Sequence, residues 1–180
     1  MLQITIPAIE LWDERTETFV SRKEQTLQLE HSLVSLSKWE SKWKKAFLGK
    51  TEKSEEEIRD YVRCMTITQN VDPDIYNYLS KENFDQINDY IQEPMTATTF
   101  PDDKTSRGRN QIVTAEVIYA WMFSLQIPLD LQKWHLNKLL TQIRACNALN
   151  QPTKKMSKRD TARQNAALNA ARRQRLNSKG

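Results

Sequence analysis

Residues 32–49, SLVSLSKWESKWKKAFLG, decide the fold class. Leu36, Trp39, Trp43 and Phe47 recur at three- and four-residue intervals. That is one face of an α-helix, predicted from about Ser32 to Leu48. Lys38, Lys42, Lys44 and Lys45 interleave with the aromatic residues, and Gly49 is suited to the position just past the helix end. Such a face has two readings. The aromatic side chains are core with a solvated lysine face, or they form a surface that stacks on a partner.

The same period runs on towards the C-terminus. Ser54-Glu55-Glu56-Glu57 is a capping box, and Ile58, Tyr61, Val62 and Met65 form the apolar stripe behind it. Asp72-Pro73 opens a short helix carrying Ile75, Tyr76 and Leu79. Ser80 caps another that buries Phe84, Ile87 and Ile91 and stops before Pro94. Residues 94–110 show no period and read as the longest loop of the body. Thr114 starts a helix apolar on several sides, Val117 to Leu125, expected at the centre of the core. Asp130 is expected to cap a long helix reaching about Asn147.

Towards the N-terminus the period changes. Residues 2–6, Leu-Gln-Ile-Thr-Ile, alternate apolar and polar, as do Thr26 to Glu30. Pro7 interrupts the first run, so two short strands joined by a long turn are expected. Two strands are marginal alone and must pack on the helices. The fold class is therefore mainly α, a helical body over 1–150 with a small N-terminal β hairpin.

Charge divides the chain. Residues 151–180 hold nine Lys/Arg against Asp160 alone, +8, while the remainder carries −4. No aromatic residue occurs after Trp134, and Ala162, Ala166, Ala167, Ala170 and Ala171 favour a helix over 158–176, with Ser157 as its cap. These alanines bury little area. The tail is expected to be conditionally helical, mobile until it meets a partner. Lys154, Lys155, Arg159, Arg172, Arg173 and Arg175 are its candidate contacts. A protein partner, nucleic acid and an inert tail all stay open.

Composition excludes several chemistries. Three glycines in 180 residues leave no Gly-rich phosphate loop. No apolar run is long enough to span a membrane, and the N-terminal segment does not read as a signal peptide. Cys64 and Cys146 read as two buried thiols of a reducing compartment. His31 and His135 lie far apart in sequence without metal-ligand spacing, so structural histidines are expected. Cys64 beside Arg63 is the best candidate nucleophile, but its apolar neighbours favour burial. Glu55-Glu56-Glu57 and Asp102-Asp103 read better as a helix start and a loop turn than as acid–base pairs. No catalytic, cofactor-binding or metal-binding residue is assigned, and no enzyme activity is expected.

Several blocks carry a resemblance. TLQLEHSLVSLSKWESKW (26–43), YVRCMTITQNVDPDIY (61–76), PMTATTF (94–100) and IPLDLQKWHLNKLLTQIRACN (127–147) resemble segments of the tail assembly chaperones of long-tailed, siphovirus-like bacteriophages, and the basic end ARRQRLNSKG fits. The resemblance implies a small, mostly helical factor of the host cell cytoplasm. Its partner would be the phage tape-measure protein, a very long helical chain kept soluble until the tail tube forms. The tail-tube protein is a second implied partner, and a homo-oligomer stays open. On the body, the Trp39/Trp43/Phe47 face and the 94–110 loop are candidate contacts, beside the basic tail. Nucleic acid through that tail is the alternative, and no membrane partner is expected.

Overall fold

The computed structural model describes residues 1–13, 18–100, 112–150 and 157–177. The architecture is mainly helical with a small N-terminal β element. The chain divides into two units, Met1–Asn147 and Ala148–Gly180.

The β element is longer than the sequence suggests. Strand β1 (Leu2–Ile6) pairs antiparallel with β4 (Gln25–Leu29), as the alternation predicts. The expected long turn is itself largely a second ladder, β2 (Ile9–Asp13) against β3 (Thr18–Arg22). The register is continuous: Ile6 faces Gln25 and Ile9 faces Arg22, with two residues skipped on each side. One hairpin arm is thus interrupted at Pro7-Ala8, where proline has no N–H to give the ladder. Ile4 and Ile6 of β1 and Leu27 and Leu29 of β4 point inward and are fully buried. Beyond β4, the Ile67 N–H donates to the Gln28 carbonyl at 2.8 Å, so the exit of the next-but-one element adds a third edge. Arg22 anchors the arm through Asp72 and Asp74, at 2.7 and 3.3 Å.

Helix α1 (Leu33–Trp43) starts at Ser32, whose side chain caps Ser35 N–H while Ser35 Oγ accepts from Ser32 N–H. It ends earlier than its period implies. Lys44 turns left-handed at φ 55°, five residues before Gly49. The cause is the buried Glu40 carboxylate. One oxygen accepts from the Phe47 N–H at 2.9 Å, the other from the Ala115 N–H at 2.7 Å. A side chain thus competes with helix continuation at one end and caps a distant helix at the other.

Helices α2 (Glu55–Met65) and α3 (Lys81–Gln92) start at Ser54 and Ser80 with reciprocal capping boxes. Asp72 caps the 3₁₀ turn Pro73–Tyr78 between them. Helix α4 (Ala115–Ser124) begins after Thr114, whose side chain makes no cap bond; Glu40 supplies it instead. Only Ala115, Ile118 and Met122 of α4 are buried, while Phe123 is 67% exposed, so α4 is one-sided rather than central to the core. Residues Leu129–Lys133 form a 3₁₀ turn, so Asp130 does not start the long helix. Helix α5 (Leu136–Asn150) starts later, its Leu136 N–H donating to the His31 carbonyl at 2.7 Å. Asn137 Nδ2 closes the end of α3 by donating to the carbonyls of Ile91 and Glu93.

His31 and His135 meet inside the body, ring centroids 5.2 Å apart. The Tyr61 hydroxyl lies 2.6 Å from His31 Nδ1, and His135 Nε2 lies 3.0 Å from the Tyr90 carbonyl. Burial, then the neighbouring His135, pushes His31 down to about 3. Burial lowers His135 as well. The unfolded chain therefore takes protons near pH 6.5 that the native chain refuses. Stability is full above pH 6.5 and is lost as the pH falls towards 3.

Two predictions follow from these contacts. Glu40→Ala strands two backbone donors and should cost about 3 kcal/mol in urea unfolding, while Glu40→Gln, which keeps one acceptor, should cost less. As the pH falls from 6.5 to 5 the wild-type chain should lose stability with a slope approaching about 1.4 kcal/mol per pH unit for His31, and His135 should add to the loss in the same direction. His31→Gln should flatten that slope. An unchanged urea midpoint across this window in the wild type would contradict the buried neutral pair.

Candidate functional site: two grooves on the body and an exposed basic helix

The aromatic face proposed from the sequence lies mostly inside. Trp39 is 0% exposed and its Nε1 donates to the Glu57 carbonyl at 2.8 Å. It offers no surface to a partner, which corrects its assignment as a contact. The heptad-like spacing that puts Trp39 beside Trp43 also points both towards α2, and α2 covers the first. Trp43 is half-buried, with Nε1 donating to Asp60 at 2.8 Å. Phe47 lies beyond the helix, stacked on Tyr61 with centroids 3.7 Å apart.

Phe47 leads to the first groove, about 630 Å³, between α2, α3 and the 44–54 connection. Its floor is apolar: Phe47, Val62, Leu79, Phe84, Ile87 and Ile91. Ile58 stands at this groove 40% exposed, although its place in the α2 stripe suggests core. The rim carries Lys53, Arg59, Lys81 and Glu55. Lys53 Nζ sits 5.0 Å from the Phe47 ring centre, and Arg59 pairs with Glu55 at 3.2 Å one turn away.

A second groove of about 790 Å³ lies on the other side of the same connection. Leu48, Trp121, Leu140 and Ile143 line it, with Lys45, Lys50 and Arg144 at its edges. The 44–54 connection is thus a shared wall, contributing Phe47 to one groove and Leu48 to the other. Lys45 is held by the buried Glu57 carboxylate, whose proton affinity that contact and the Ser54 N–H keep below the usual carboxylate value. Neither groove is legible in the sequence. An inward-facing stripe and a groove floor share one periodicity, so Ile58 and Phe84 carry no separate signal.

In the second unit, helix α6 (Lys158–Leu176) starts at Ser157, which accepts from the Asp160 N–H at 3.1 Å. Every residue from 157 to 177 is exposed. Arg159, Arg172, Arg173 and Arg175 have no ion pair among the described residues. Lys154 and Lys155 lie outside the described residues, as does most of the 94–110 loop.

Of the remaining chemical candidates, Asp102-Asp103 lies outside the described residues. Burial, then Asp60, pushes the Cys64 thiol up, away from a reactive thiolate. Glu57 is the return partner of the Ser54 capping box. Among the described residues no three His, Cys, Asp or Glu side chains group closely enough for a metal ion, and no helix is long and apolar enough to cross a membrane. Comparison with protein-family models, curated proteins and solved structures finds no match.

Proposed function

We propose that the chain is a tail assembly chaperone of a long-tailed bacteriophage, acting without bond chemistry in the host cytoplasm. It binds the helical tape-measure protein and keeps it soluble while the tail tube assembles. The observation that carries this reading is the apolar groove between α2 and α3. A long amphipathic helix exposes an apolar stripe that drives aggregation until it is covered. A groove floored by Phe47, Phe84, Ile87 and Ile91 accepts side chains spaced i, i+3/i+4 and i+7 along such a helix. Its floor is rigid because Phe47 is stacked on Tyr61 and its N–H is held by Glu40. Many copies along one partner would add avidity without a tight single site. The sequence blocks 26–43, 61–76, 94–100 and 127–147 supply the family resemblance.

The alternative is a nucleic-acid-binding accessory protein. One observation favours it: α6 is exposed on all sides and carries Arg172, Arg173 and Arg175 within about one turn, with no broad apolar face. Such a helix suits phosphates better than a hydrophobic groove.

Co-expression with the tape-measure protein separates the readings. The wild-type chain should keep that protein soluble. Ile58→Asp should lower its soluble yield several-fold while the variant itself stays folded, because residue 58 is partly exposed. Deleting 151–180 should weaken the effect without abolishing it. A tape-measure protein that is soluble without the chain would contradict the proposal. Under the alternative, the same deletion abolishes DNA binding. Eight phosphate contacts would make that binding fall by about three to five decades between 50 and 200 mM salt.

A further inference from the structure

We propose that the second groove docks an acidic, amphipathic helical segment of a partner protein. The inference goes beyond the chaperone reading and does not rest on it. It stands on the chemistry of a separate surface of the Met1–Asn147 unit.

The floor is apolar and wide. Trp121 of α4 and Leu140 and Ile143 of α5 form it with Leu48 of the connection. Ile112, beside them, is exposed. Helix α4 thereby leaves an indole beside open space, although its neighbours Ile118 and Met122 are fully buried. The cavity of about 790 Å³ can take several side chains of one helical face.

The edges carry one sign of charge. Among the described residues no acidic side chain lines the groove. Lys45 is spoken for by Glu57. Lys50, on the connection, and Arg144, on α5, line the groove from different elements, exposed and without an ion pair among the described residues. Two unpaired cations beside an apolar floor match a helix with an apolar stripe and carboxylates next to it. The rim charges orient and select the segment, while the floor supplies most of the burial.

Other occupants fit less well. A helix like α6, with six cations and one acid between Lys158 and Leu176, carries the same sign of charge as the groove's edges. A nucleic-acid strand needs donors along its backbone, and four hydrophobic side chains do not provide them. An uncharged helix would leave Lys50 and Arg144 without partners.

The test uses the full chain and three fluorescent 18-residue peptides, read by anisotropy at 150 mM salt. One has leucines at helical spacing flanked by glutamates. The second replaces the glutamates by lysines, and the third scrambles the first. The glutamate peptide should bind at least about tenfold more tightly than the other two. Lys50→Glu/Arg144→Glu should weaken it about tenfold and raise affinity for the lysine peptide. Lys50→Gln/Arg144→Gln should give a smaller loss of the same sign, and both variants should keep the wild-type Tm. Ile58→Asp, in the first groove, should leave this binding unchanged, so the two sites fail or succeed independently.

Equal binding of the scrambled peptide would overturn the proposal. So would charge reversal without effect, because the basic tail is the same in every variant and would then be the binder. Competition by oligothymidine through Lys50 and Arg144 would assign the groove to nucleic acid instead. A homodimer of the wild-type chain that the reversed variant dissociates would assign it to a second copy.

Discussion

The buried Glu40 carboxylate is the constraint on which the rest of the body depends. It takes the Phe47 N–H with one oxygen and the Ala115 N–H with the other, at 2.9 and 2.7 Å. The first bond turns the chain out of α1 and holds the 44–54 connection. The second places a negative charge at the N-terminus of α4, where the helix dipole favours it. Ala115, 75 positions from Glu40 in sequence, is thereby pinned to its side chain. With the connection held, Phe47 stacks on Tyr61 and lines one groove, and Leu48 lines the other.

A second buried polar network ties further elements together. The Tyr61 hydroxyl reaches His31, His31 packs edge-on against His135, and His135 reaches the Tyr90 carbonyl. Tyr90 in turn donates to Glu30 at 2.7 Å. These bonds tie the end of β4 to α2, α3 and the start of α5. Apolar packing tolerates sliding, whereas a satisfied polar network specifies one arrangement. Through Tyr61, this network also sets the depth of the ring on which Phe47 lies.

What the sequence made legible was local. Ser54, Asp72, Ser80 and Ser157 are read as caps from their immediate sequence surroundings, and each accepts a backbone N–H in the structure. The strand at 2–6 follows from alternation alone, and the alternation over 26–30 marks, one residue off, the strand at 25–29. What it hid was long-range. Nothing near Lys44 announces the helix end, because the residue responsible sends its carboxylate forward to Phe47 and across to Ala115. The ladder at 9–13 and 18–22 was masked by the charged segment Asp13 to Glu17. Trp39 and Ile58 show the limit for the site: both sit on clean helical stripes, yet one is wholly buried and the other stands at a groove. Periodicity reports which face turns inward, and only the neighbouring helix decides how much of it is covered.

In the proposed role, the body covers a long helix through its α2–α3 groove. The most direct measurement places a photo-crosslinking side chain at position 58 and, separately, at position 172, in cells that also express the tape-measure protein. Cross-linked products are treated with nuclease and identified by mass. The account predicts a covalent product between position 58 and the tape-measure protein that survives nuclease. Product only at position 172, and only with nucleic acid, would contradict it.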